Sequence, residues 1–446
     1  TRIIHTNLSD TPRLVYALWG SWAGNVNTTG TWLFDSINPT GSTTILRYDA
    51  GTVSVTGISA TGTSTVWADN IKANDFFALA TGTALGTGSA VKVSSVEDNT
   101  HLTLSTNVTA ASQAYGIIPI LATGYPLAYA TLASALWISD NTRNVIKYNG
   151  NGTGVTANTA FPLAKYVTVH RNYMFAANYG STPTRVSWSD FGDPTTWPAL
   201  NYIDVDKNAG PIMGLYSYGD ELIVFKKHRM YKIVGEIFNP SNGTYSVSPI
   251  SVPMGFIFVH PYSVTEHNGV LYFVASRSLL SYRRGTGAVI KESFAADFDL
   301  NAELTSNPTD SREHLWSTSY DNCLWIGGRH AYTGTNTPDS IIMFDNKGSV
   351  WLGNGQAAAS DPGVGTLGST PARVIVAQTE TFPGLDFVVF PVGQTSEFLS
   401  SVFSGTGRSI RKIDVRNGVS TVQKNGTASF ALNSLWRSKE FNIGYG

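Results

Sequence analysis

The chain has 446 residues, 30 Lys and Arg against 31 Asp and Glu, a net charge of −1 and one cysteine, Cys323; 42% of its residues are hydrophobic and only 14% charged. The length fits one large domain with an insertion, or two to three ordinary domains. The balanced charge excludes a dedicated nucleic-acid binder that works by neutralising phosphates, and the lone cysteine excludes an intramolecular disulfide framework.

Thr1 to His5 lack the basic start and apolar run of a signal peptide. The absence of an initiator Met leads us to expect that the chain is processed or preceded by further residues. Helical periodicity is nearly absent, whereas short runs of Val, Ile, Tyr, Phe, Trp and Thr bounded by Gly, Asn, Asp and Pro recur throughout. The longest apolar candidate, Pro126 to Ile138, is too short and too rich in Thr and Ser for a membrane span.

Residues 1–48 read as the first strands of a repeat. Residues 49–119 read as an inserted small β-barrel or sandwich, richer in Gly, Ser and Thr, with period-two alternation at Val53–Val55 and Leu102–Leu104. Residues 120–446 then fall into units in the size range of propeller blades. Most units have a half-buried strand, an Asn, Asp or Gly turn and a fully apolar strand. Tyr166–His170 leads through Asn172 to Tyr173–Ala177. Met213–Tyr218 leads through Gly219 to Glu221–Phe225. Tyr262–Glu266 leads through Asn268 to Val270–Ala275, and His314–Tyr320 through Asp321 to Cys323–Ile326. Gly and Asn tolerate the positive φ that closes hairpins with the right twist. The expected fold is all-β: a β-propeller of about six blades with the inserted module. A flat β-solenoid or a pair of sandwiches competes with it.

No catalytic constellation emerges. The eight histidines show no metal-site spacing and no Cys cluster exists. No nucleophile elbow or phosphate-binding loop is present. Glycosidases on propellers use paired carboxylates, and Asp190, Asp193, Asp204, Asp206, Asp297 and Asp299 are the candidates. Most of these lie in Gly- and Pro-containing turns, where Asp caps the backbone. Asp204 and Asp206 could hold a cation, although two acidic residues in a polar loop are usually solvated. The chain is therefore expected not to be an enzyme, with no catalytic or metal residues and no cofactor. The basic stretch Lys226, Lys227, His228 and Arg229, the pair Arg283 and Arg284, and the group Arg408, Arg411, Lys412 and Arg416 are candidate contacts to DNA or an acidic partner. Each is more often an ordinary solvated turn or an edge strand protected by charge.

The segment Arg185-Val-Ser-Trp188-Ser-Asp190-Phe-Gly192-Asp193-Pro194-Thr-Thr-Trp197 resembles a motif of the tail nozzle proteins of short-tailed bacteriophages, also called tubular or packaged-DNA stabilisation proteins. Gly219–Lys226 with Met230–Ile233, Gly255–Ser263 with Asn268–Arg277, and Trp436–Phe441 extend the resemblance over most of 128–441. Gly62–Trp67 and Asp98–Leu104 are similar to small β modules of phage tail and fibre proteins. The resemblance implies a structural virion protein without catalytic residues. It would assemble in the bacterial cytoplasm as a homo-hexameric ring in the tail, below the portal and its adaptor. Its partners would be the adaptor, tail fibre or needle proteins, and double-stranded DNA passing through the lumen. Alternatives are a receptor- or glycan-binding propeller tail protein, glycan-cleaving in one version, and a tail hub of a long-tailed phage. The nozzle reading also implies further chain beyond Gly446.

Overall fold

The computed structural model describes the backbone of residues 2–8, 11–21, 29–36, 44–81, 84–85, 91–121, 127–150, 154–235, 245–258, 261–275, 278–291, 316–320, 323–329, 338–345, 348–354, 384–392, 395–404, 407–414, 419–422 and 429–431, and side chains mainly within 45–290. Strands dominate. Among the described residues helix is confined to α1 (Trp67–Asn70) and two three-residue 3-10 turns, Lys207–Ala209 and Pro261–Ser263.

The first sheet is β1 (Arg2–Leu8), β2 (Thr11–Ser21), β3 (Thr29–Ser36) and β4 (Thr44–Ile45), in that order. The next elements are β5 (Thr52–Thr63), β6 (Phe76–Thr81), β7 (Ala84–Leu85), β8 (Val91–Val96), β9 (His101–Gln113) and β10 (Tyr115–Ile118). They form a sheet of order β10-β6-β8-β9-β5 with β7 on β6. Six further sheets then follow strictly in chain order. They are β11 (Ala128–Leu132), β12 (Ala135–Ser139), β13 (Val145–Tyr148) and β14 (Val155–Asn158); β15 (Ala164–His170), β16 (Tyr173–Tyr179), β17 (Thr182–Trp188) and β18 (Tyr202–Asp204); and β19 (Ile212–Tyr218), β20 (Glu221–Lys226), β21 (Met230–Val234) and β22 (Ser246–Ile250). Then come β23 (Thr265–His267), β24 (Val270–Ala275), β25 (Ser278–Tyr282) and β26 (Val289–Lys291), and β27 (Trp316–Tyr320), β28 (Cys323–Arg329), β29 (Pro338–Asp345) and β30 (Gly348–Asn354). A five-stranded sheet closes the series with β31 (Gly384–Val392), β32 (Thr395–Ser404), β33 (Gly407–Asp414), β34 (Val419–Val422) and β35 (Ser429–Ala431).

The protein is thus all-β, with seven consecutive-strand sheets among the described residues where the sequence pattern suggests about six units. The difference arises at residues 1–48. They complete a sheet of their own before the six-stranded sheet begins, because β4 pairs with β3 at Ile45↔Phe34 and Thr44↔Asp35.

The anticipated alternation of half-buried and apolar strands is visible in the burial. β11 and β15 bury every second or third residue, whereas β12 and β20 are buried along their whole length and β16 and β24 over most of theirs. The hairpin turns between first and second strands hold positive φ at Arg171 and Asn172, at Gly219, and at Asn268 and Gly269. Ala133 and Ser134 do the same without an Asn or Gly, which is why that turn is silent in the sequence.

Contacts divide the chain into two compact units. One is Thr1–Asn38, Ser42–Leu222 and Ile233–Val247; the other is Pro39–Gly41, Ile223–Lys232 and Ser248–Gly446. In the first, successive sheets share cores. Val15 and Leu33 pack with Leu136, Ile138, Ile146 and Tyr148, and Ala135, Trp137 and Val145 pack with Phe161, Ala164, Met174 and Ala176. In the second, Phe225, Phe258 and Phe273 form an aromatic cluster, with Phe225 stacked on Phe258 at 4.3 Å.

The β5–β10 sheet has its own core of Val53, Val55, Ala60, Trp67, Phe77, Val93, Leu102, Leu104, Tyr115 and Ile117. The two alternating runs point inward as their period demands. Gly62 explains the Gly-Thr-Ser-Thr-Val-Trp phrase: a Cβ there would lie 2.3 Å from Thr65 Oγ1 and 2.8 Å from the Trp67 ring. Trp67 donates through Nε1 to Tyr115 Oη at 2.9 Å, and Tyr115 donates to Ala50 O at 2.6 Å. This chain of bonds ties α1, β10 and the start of β5 together, and burial pushes the Tyr115 phenol far above its ordinary pKa.

Candidate functional site: a motif turn and a module joint

The turn from Trp188 to Trp197 follows β17. Its glycine is dictated locally: Gly192 has φ 70°, donates to Asn172 O at 2.7 Å, and would bring a Cβ to 3.2 Å from Asn172 Nδ2. Asp193 accepts from the Thr195 backbone N–H at 2.9 Å and from the hydroxyls of Thr195 and Thr196. The Thr195 hydroxyl bond leads the interactions that hold its carboxyl below the ordinary range. The buried Pro194 carbonyl accepts from Trp197 Nε1 at 2.9 Å and from Asn158 Nδ2, on β14, at 3.4 Å.

Two tryptophans anchor the turn from opposite ends. Trp188 is buried against Phe175 and Tyr245. Trp197 meets Phe161 edge-on at 4.7 Å, and Phe161 stacks on Trp137 of β12 at 6.1 Å. The Lys147 ammonium lies 5.4 Å from the Trp137 ring centroid. The motif therefore staples the β15–β18 sheet to the β11–β14 sheet. Arg185 lies apart from this staple. It is bidentate to Asp204 at 2.8 and 3.1 Å and stacks 3.7 Å over Tyr202. Led by the Arg185 bond, its surroundings hold Asp204 down at about 2, and Lys207 Nζ adds a 3.0 Å contact.

Three of the candidate carboxylates, Asp193, Asp204 and Asp206, are committed to structure. Asp204 is neutralised by Arg185 and Lys207, which leaves it a poor ligand for the cation that the sequence offered only as the lesser option there; Asp206 caps the following 3-10 turn through Asn208 N. Asp190 and Asp193 close the same turn by a backbone bridge. Asp297 and Asp299 lie outside the described residues, as do Trp436 and Arg416. Among the described residues, no group of His, Cys, Asp and Glu is placed to hold a metal ion. No helix among them is long and apolar enough to cross a membrane.

Of the basic candidates, Lys226 is fully buried at the end of β20 and does not present its ammonium to a passing phosphate; its apolar stem suits a strand covered along its length. Lys227 and Arg229 are exposed in the β20–β21 turn, which Lys226 N closes on Arg229 O at 2.9 Å. His228 bonds Phe256 O through Nδ1. Arg283 and Arg284 are exposed in the turn after β25. Arg408, Arg411 and Lys412 fall on β33.

Sequence reasoning did not single out Asp75 and Arg143. Both are buried, and Arg143 Nη1 and Nη2 donate to Asp75 Oδ1 and Oδ2 at 2.8 and 2.9 Å. Asp75 also accepts from Lys72 N and Ile120 N, each at 2.9 Å. Arg143 Nη2 donates to Asn70 O, and Asn70 Oδ1 accepts from Ala157 N of β14. Tyr48, Ile71, Ile117, Ile146 and Val155 line the crevice around this pair. The joint thus fixes the β5–β10 module on the β11–β14 sheet. Its members look like ordinary turn residues in sequence, since Asp75 follows Ala-Asn and Arg143 follows Asp-Asn-Thr.

No family model matches the chain, and no curated protein does. Among solved structures, the N-terminal domain of Nup159 matches at 9% identity with a TM-score of 0.30, covering 59% of this chain and 62% of that one. The dihydro-heme d1 dehydrogenase NirN matches at 11% and 0.38, covering 81% and 74%. A point mutant of the Synechocystis apocarotenoid oxygenase matches at 9% and 0.39, covering 82% and 91%. Likenesses this distant carry no argument about this chain.

Proposed function

We propose that the chain is a structural ring component of a short bacteriophage tail, a nozzle-type β-propeller whose seven sheets act as blades and whose module, about residues 49–119, is inserted between the first and second. The ring would sit below portal and adaptor, retain the packaged genome and pass it at infection. The observation that carries this reading is the Trp188–Trp197 turn. The segment that resembles nozzle proteins uses its polar groups to close itself and its indole to staple two sheets, as a scaffold motif does and a reactive site does not. The low charge agrees, because a wall of Ser, Thr and Asn lets a polyanion slide. Exposed Lys227, Arg229, Arg283 and Arg284 are the residues we propose for DNA or partner contact.

The test is symmetry-resolved imaging of the assembled chain within its particle. Six copies around an axial channel support the reading, and absence from purified virions removes it. One observation favours a second reading, a glycan-binding tail protein: Phe191 is 66% exposed and edge-on to Tyr173 at 5.3 Å, a platform on which a sugar could stack. Glycan-array binding lost in Phe191→Ala would move the assignment there.

A further inference from the structure

One hydrogen bond occurs twice at matching places. His170 is the last residue of β15 and Ser217 the last but one of β19; His170 Nδ1 and Ser217 Oγ are 2.9 Å apart. His267 is the last residue of β23 and Ser319 the last but one of β27; His267 Nδ1 and Ser319 Oγ are 2.8 Å apart. Each bond runs from the first strand of one sheet to the first strand of the next. Each histidine ends a Val-Thr-x-His phrase before a two-residue turn at positive φ, and each serine precedes a tyrosine.

Both rings are buried, His170 at 1% exposure and His267 at 7%. The Asn268 side-chain amide lies 3.0 Å from His267 Nε2.

We infer that His170–Ser217 and His267–Ser319 are two copies of one proton-sensitive latch that fastens the first strands of successive sheets and holds less firmly once the imidazole is protonated, because each ring is buried and a charged ring would lose its hydration there. The groups around His170 accord with a neutral ring. Phe175 of β16 is at 6.0 Å, Arg171 in the adjoining turn opposes a second positive charge, and Asp220 after β19 weakly favours one. Strands β11, β16 and β19 carry no Asp, Glu, Lys, Arg or His. Around His267, Glu266 precedes it on β23, Tyr272 of β24 is at 6.3 Å, and β24 and β27 carry none of those five residue types. Asp321 follows β27 in the chain. Burial, the leading cause, lowers the His170 pKa to about 4. At His170 the unfolded chain therefore binds the proton first as pH falls below 6.5, and the contribution of that latch is lost between pH 6.5 and about 4.

The test compares urea midpoints from pH 7.5 to 4.5 for the wild type, His170→Gln, His267→Gln and the double variant. Glutamine can still bond serine but does not titrate. Between pH 6.5 and 5 the unfolded-to-folded ratio of the wild type should rise by on the order of tenfold more than that of His170→Gln, and by more again than that of the double variant. A pH profile of the wild type identical to that of the double variant overturns the inference. Should the variants not fold, the ring signals of the unmodified chain decide by NMR, with His170 assigned through its shift in Ser217→Ala. A His170 ring that stays neutral down to pH 5 supports the latch, and one that titrates near 6.5 removes it.

Discussion

The β11–β14 sheet is gripped from two sides by different chemistry. On one side the module is held by a buried ion pair in which a carboxylate receives four hydrogen bonds, two from Arg143 and two from backbone. On the other, the β15–β18 sheet is held by three aromatic rings in sequence, Trp137, Phe161 and Trp197. A charged joint is all or nothing: with both partners it is fully satisfied, and with one it leaves a bare charge out of water. An aromatic joint degrades by degrees, because each ring contributes area and contact geometry on its own.

The sharpest way to break this comparison is Arg143→Met. It leaves the Asp75 carboxylate buried with backbone donors alone, and should cost about 3–5 kcal/mol of unfolding free energy. Asp75→Asn with Arg143→Met should recover part of that loss. A double variant no more stable than the single one would show that Asp75 is not the stranded charge. On the aromatic side, Phe161→Ala should cost about 3–4 kcal/mol, since Phe161 is buried between two indoles. The Phe161–Trp197 pair should show a coupling of about 0.5–1.5 kcal/mol in a double-mutant cycle. A coupling near zero would mean the two rings merely share a cavity.

Within the module, Gly62→Ala should cost about 1–3 kcal/mol, because Thr65 and Trp67 must yield to the new methyl group. Thermal denaturation followed by Trp67 fluorescence would read this. The smallest effect belongs to Arg185→Lys. It loses the bidentate bond to Asp204 but keeps a charge at a partly exposed pair, and should cost at most about 1 kcal/mol. A larger loss would locate part of the sheet's strength in the Tyr202 stack.

The contrast also separates what the sequence displays from what it hides. Strand class and the burial of second strands follow from runs such as Glu221–Phe225 and from the Asn and Gly turns before them, because period and turn chemistry are local. The Trp turn was visible as a motif, though not as a staple, since Phe161 and Trp137 lie far from it in the chain. The module joint was invisible. Asp75 and Arg143 are 68 residues apart and each sits among turn formers, so nothing local distinguishes them from solvated charges. The seventh sheet was hidden for a similar reason: β4 has two residues, too few for any periodic signal.

Tyr48 and Ile117 exchange backbone hydrogen bonds, each 2.8 Å, where the chain passes into the module and where it returns. The two crossings thus lie side by side, and removing residues 49–116 between them would leave ends already in contact. Such a cassette can be lost, exchanged or acquired with little change in the sheets on either side, apart from one demand. Whatever replaces it must bring a carboxylate to Arg143, or position 143 must become apolar together with the exchange.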